Sequence, residues 1–84
     1  MNPEHLYARI LQGHRANVRF TDFQRLLEAF GFHYKRSRGS HQSFEHYGKQ
    51  VTITVQPDQN GNAKGYQIKQ FLDLVRKHSL RMGA

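Results

Sequence analysis

Histidine set among lysine and arginine is residue chemistry that could act on a phosphodiester, and this chain gathers it between positions 33 and 49. Lys35, Arg36, Arg38 and Lys49 stand there with His33, His41 and His46. Cations hold a phosphate and offset the charge that develops at phosphorus during transfer. An imidazole titrates near neutrality and can take or give a proton at a hydroxyl oxygen. RNA brings its own nucleophile, the 2′-hydroxyl, so neither a metal nor a protein nucleophile is required. Gly39, lacking a Cβ, supplies a backbone that can approach the phosphodiester closely. Each part also has a plainer reading. A surface histidine is more often a bystander than a catalyst, and Lys35, Arg36 and Arg38 could be a charged sheet edge that discourages aggregation. Gly39-Ser40 reads equally as a simple turn, and Tyr34, Tyr47 and Tyr66 read as core-rim residues rather than stacking platforms.

Those residues need elements to position them. Leu6, Tyr7, Ile10 and Leu11 recur at helical spacing within residues 3 to 12, with Asn2 as cap, Pro3 at the first helical position and Gly13 as stop. Residues 13 to 19 read as a polar linker. Thr21-Asp22 then offers cap residues for a second helix striped by Phe23, Leu26, Leu27 and Phe30, with Gly31 where a left-handed residue is expected. After Gly31 the period falls to two. Phe32 and Tyr34 alternate with His33 and Lys35. Gly39-Ser40 turns the chain into a strand from about His41 to Tyr47, and Tyr47 to Gln50 forms the next connection. Val51, Ile53 and Val55 alternate with Thr52, Thr54 and Gln56, the pattern of a half-buried strand. Residues 57 to 62 are a loop, and Ile68, Phe71, Leu72 and Val75 stripe a last helix that ends near His78 in a frayed tail.

The order α-α-β-β-β-α predicts an α+β fold, an antiparallel three-stranded meander with helices on one face. Strand parity puts Phe32, Tyr34, Phe44, Val51, Ile53 and Val55 on the covered face. His33, Lys35, His41, Ser43, Glu45, Thr52 and Thr54 fall on the open one. His41 is thereby offered to solvent while Phe44 anchors the strand. His41, Glu45 and His46 could be drawn as a metal set, but the two histidines face opposite ways on one strand and do not converge, so no metal is expected.

At 84 residues the chain is read as one domain. It has no cysteine for a disulfide or a thiolate zinc site, and no apolar run near the ~20 residues of a membrane span. The N-terminus shows no signal-peptide pattern, so a cytoplasmic protein is expected. Thirteen Lys and Arg against six Asp and Glu leave a formal charge of +7. Such a surface concentrates polyanions, of which nucleic acid is the commonest. An acidic protein partner, or solubility alone, would account for the same charge. No Gly-rich phosphate loop, HExxH helix or GxSxG elbow is present.

Leu26-Leu27-x-x-Phe30-Gly31-Phe32, followed by Arg38-Gly39-Ser40-His41-x-x-Phe44, resembles the HicA-type toxins of bacterial toxin–antitoxin pairs. Val51-x-Ile53-x-Val55-Gln56-Pro57 and Lys64-Gly65-Tyr66-Gln67-Ile68-x-Gln70-Phe71-Leu72 are similar to one branch of that family. The likeness runs over about residues 20 to 80, with residues 1 to 19 as an N-terminal helix and linker outside the common core. The resemblance implies a double-stranded-RNA-binding-like fold and a type II toxin that cleaves mRNA without a metal or other cofactor. It also implies neutralisation by a HicB-type antitoxin. His41 takes the catalytic role by its place in the Gly-Ser-His motif. Lys35, Arg36 and Arg38, with Lys49 further off, are then the expected RNA-backbone contacts, and Gly39 and Ser40 shape the turn that aims the imidazole. Two positions depart from the common pattern: Gln42 stands where many members have a second histidine, and Gln56-Pro57 where many have Pro-x-His. A noncatalytic RNA-binding module with the same basic face is the alternative function.

Overall fold

A computed structural model describes residues 1–83, in the order α1 (Pro3–Leu11), α2 (Phe20–Ala29), β1 (Phe32–Arg38), β2 (His41–His46), β3 (Thr52–Val55) and α3 (Gly65–His78). The strands form one antiparallel sheet ordered β1-β2-β3, so the fold is α+β as the period changes predict, and the double-stranded-RNA-binding-like description is consistent with it.

Asn2 caps α1 as expected, its side-chain oxygen accepting the Glu4 N–H at 2.7 Å. The second helix differs from the sequence expectation. It begins at Phe20, so Thr21 and Asp22 lie inside its first turn instead of capping it. The cause is tertiary: Phe20 is buried, and its N–H donates to the Gly61 carbonyl at 3.0 Å, so the 57–62 loop starts the helix. Asp22 binds the N-terminal ammonium at 3.1 Å and so ties α1 to α2. That loop is built on Asp58, whose Oδ1 accepts the N–H groups of Asn60 and Asn62.

One core joins the layers. Phe23, Phe30 and Phe32 set their ring edges around Phe71 of α3 at centroid distances of 5.9, 5.2 and 6.5 Å. Phe44, Ile53 and Val55 close it from the sheet. The tail is not frayed: Ser79 turns left-handed, Leu80 is buried, and the Gly83 N–H donates to the Ala29 carbonyl at 2.8 Å. Among the described residues, no helix is long and apolar enough to cross a membrane.

Gly31 has a φ of +93°, the conformation that ends α2 and aims β1. A Cβ there would stand 3.0 Å from His46 Nε2. The Gly31 carbonyl accepts the Tyr47 N–H at 3.0 Å, so one glycine seats both the start of β1 and the end of β2.

Candidate nucleic-acid interface

Two-residue pairing fixes the turn. Arg38 lies opposite His41, and Gly39 between them has a φ of +60°, the first-position conformation that tight hairpin loops reserve for glycine. Nothing lies within 4 Å of where its Cβ would be, so conformation and not crowding requires glycine.

Strand β1 is not regular. Tyr34 pairs with Phe44 and Arg36 with Ser43, leaving Lys35 as an extra residue in a β-bulge. Directly opposed residues share a face. Arg36 opposite Ser43 and Arg38 opposite His41 therefore lie on the open face. Unbroken alternation from Phe32 would have sent both arginines to the covered side. The bulge thus corrects the face assignment and adds two cations beside the imidazole. Lys35 remains on the open side, paired with Glu45 at 3.6 Å.

The result is a groove of about 450 Å³ lined by Arg36, Ser37, Arg38, His41, Ser43 and Thr54. His41 and both arginines are exposed. Neither arginine takes part in an ion pair among the described residues, which leaves their guanidinium groups available to an anion. The Ser43 and Thr54 hydroxyls meet at 3.2 Å on the groove floor. Gly39 and Ser40 stand at the rim in the turn. Of the expected contacts, Arg36, Arg38, Gly39, Ser40 and His41 come together. Lys35 lies farther along β1, and Lys49 sits in the β2–β3 turn at the other end of the sheet.

The remaining histidines of the hairpin do other things. His46 faces the core and is 8% exposed. Its Nδ1 accepts the N–H groups of Gly48 at 3.0 Å and Lys49 at 3.2 Å, and its ring meets Phe32 edge-on. An Nδ1 that accepts leaves the ring proton on Nε2. His33 stacks on Tyr47 with centroids 4.2 Å apart. Tyr47 and Tyr66 are exposed, against the core-rim expectation, whereas Tyr34, half exposed, sets its ring against the buried Phe44 at 5.9 Å. The Tyr34 hydroxyl meets Ser37 Oγ at 2.7 Å.

The two departures from the common pattern have structural addresses. Gln42 alternates with His41 and points toward α2, where its Oε1 accepts from Gln24 Nε2 at 2.6 Å. A side chain at 42 therefore faces away from the groove. The Gln56 N–H donates to Gln67 Oε1 at 3.0 Å, joining the end of β3 to α3. Among the described residues, no three His, Asp or Glu side chains gather as a metal-binding group.

No curated protein and no solved structure matches the chain. The family model described as HicA toxin of bacterial toxin–antitoxin does match, over residues 20–76, from the first residue of α2 almost to the end of α3. That stretch contains the bulged strand, the Gly39 turn, the His41 groove and every strand of the sheet. The chain therefore belongs to the HicA toxin family and is the toxin of a toxin–antitoxin system, with a cognate antitoxin as its partner.

Proposed function

We propose that the chain is an endoribonuclease that cleaves mRNA in the cytoplasm, with His41 as its catalytic residue and no metal in the reaction. The observation that carries this reading is the bulge at Lys35, which sets Arg36 and Arg38 on the face of His41. In the reaction His41 removes the proton from a 2′-hydroxyl, and that oxygen attacks the adjacent phosphorus. The bond to the 5′-oxygen breaks, and the leaving oxygen takes a proton from water. The products are a 2′,3′-cyclic phosphate and a 5′-hydroxyl. Arg36 and Arg38 hold the nonbridging oxygens and offset their growing charge. Lys35, though paired with Glu45, and Lys49 add to the field along the RNA. Gly39 and Ser40 keep the turn tight enough for the phosphate to reach the imidazole.

Partnership with a HicB-type antitoxin follows the same family pattern, and a groove this open is accessible to a protein that covers it.

The test is His41→Ala. Loss of general acid–base action reduces cleavage of an unstructured transcript by about 10²–10⁴-fold, with an unchanged melting temperature. A variant that cleaves RNA and arrests growth as well as the parent removes the proposal. Full activity in EDTA is expected of the parent, and a clear loss would favour a metal.

A second reading has its own observation. Among the described residues, His41 is the only imidazole lining the groove, and no second acid–base group lines it. A noncatalytic RNA-binding module would need no more than this. Such a module binds the transcript in a salt-dependent way and leaves it intact.

A further inference from the structure

Along the open face from the groove, at the far end of the β1–β2 hairpin, lies an aromatic pair that the cleavage reaction does not use. His33 and Tyr47 are stacked at 4.2 Å with their planes 27° apart. Tyr47 is 77% exposed, so one face of its ring rests on His33 and the other is bare. The packing beneath is close enough to bury His33 Nδ1 without a hydrogen-bond partner. Tyr47 contributes nothing to the core, yet its backbone is held firmly. Its N–H donates to Gly31, and the next two N–H groups are gripped by His46. A rigid backbone beneath an exposed ring is a platform whose ordering cost has been met before a ligand arrives.

Resting on the reading that RNA is the substrate, we propose that Tyr47, backed by His33, is a stacking subsite for an unpaired base of that RNA. A strand rises ~3.3 Å per residue, which puts Tyr47 roughly 20 Å from His41 along β2, a span of several nucleotides. Lys49, two residues on and exposed in the same turn, is the cation proposed to meet the phosphate of the stacked nucleotide. Between the two ends the acid that would repel a phosphate, Glu45, is paired with Lys35. A base can stack on a protein ring only when it has left a duplex, so the substrate is single-stranded where it crosses this face.

The experiment uses the full chain carrying His41→Ala, so that RNA survives the measurement, and follows binding of a labelled unpaired oligoribonucleotide. Adding Tyr47→Ala weakens binding about 5- to 100-fold, as loss of one base–aromatic stack does. Adding Tyr47→Phe leaves binding at the parent level, because the ring and not the hydroxyl makes the contact. Tyr47→Trp installs the chain's only tryptophan, and its fluorescence is quenched by the oligoribonucleotide but not by inorganic polyphosphate. Undiminished binding by Tyr47→Ala overturns the subsite, as does an equal loss toward an abasic oligonucleotide or toward a duplex of the same length. Quenching by polyphosphate overturns it too. The two proposals fail separately. RNA binding that depends on Tyr47 in a protein that never cleaves removes only the catalytic role of His41; cleavage with no dependence on Tyr47 removes only the subsite.

Discussion

His41 and His46 are the two ends of one six-residue strand, and they have opposite lives. His41 is exposed in a cationic groove; His46 is buried against Phe32 and Gly31 with two backbone N–H groups on its Nδ1. Their residue type is the same. Five residues apart on a strand means opposite faces, and the face decides everything else. An imidazole whose Nδ1 is committed to holding a turn is scaffold. One that opens on unpaired guanidinium groups is free for chemistry.

The contrast can be broken most forcefully at His41. Its replacement by alanine changes cleavage by the orders of magnitude given above and stability hardly at all, because the ring is in solvent. His46→Ala should do the reverse. It leaves a cavity beside Phe32 and two backbone donors without their acceptor, a loss of about 2–4 kcal/mol in urea unfolding. Molecules that remain folded still cleave RNA. If His46→Ala abolishes cleavage in protein shown to be folded, the division of roles between the two histidines is wrong.

Smaller effects sharpen the picture of the groove. Arg36→Ala and Arg38→Ala each remove one phosphate contact. The slope of log affinity against log salt should become shallower by about one for each, with no change in melting temperature. An unchanged slope would detach that arginine from the RNA. The smallest effect is expected from deleting Lys35. Without the extra residue the ladder is regular, Arg36 still faces Ser43, and Arg38 still faces His41, so cleavage stays within a few-fold of the parent. Deleting Ser37 provides the contrast, since it moves Arg36 opposite Gln42 on the α2 side. Equal activity in the two deletions would show that the face on which Arg36 lies has no part in cleavage.

Much of this was legible in the residues. The stripe of α2, the alternation of Val51, Ile53 and Val55, and the left-handed Gly31 are local signals, and local signals survive folding. His41 on the open face followed from counting by two from Phe44. The positions of Arg36 and Arg38 did not. A bulge is invisible to alternation because it depends on which residue of β2 pairs with which of β1, and no property of Lys35 alone announces it. The start of α2 at Phe20 was hidden for a similar reason: its trigger is a carbonyl at Gly61, some forty residues away. The ordered tail was missed because one of the bonds that holds it, the Gly83 N–H on Ala29, joins distant parts of the chain. The His33–Tyr47 stack joins β1 to the β2–β3 turn and leaves no trace in either one.

Gly31 carries a consequence for genetics. Every amino acid that a single base change puts in place of glycine has a Cβ, and here that atom meets His46 on a backbone only glycine adopts without strain. Cells selected to survive induction of this toxin should therefore yield two classes of escape mutant. Changes at codon 41 leave normal amounts of an inert protein. Changes at codon 31 leave little protein at all, because quality-control proteases remove what cannot hold its fold.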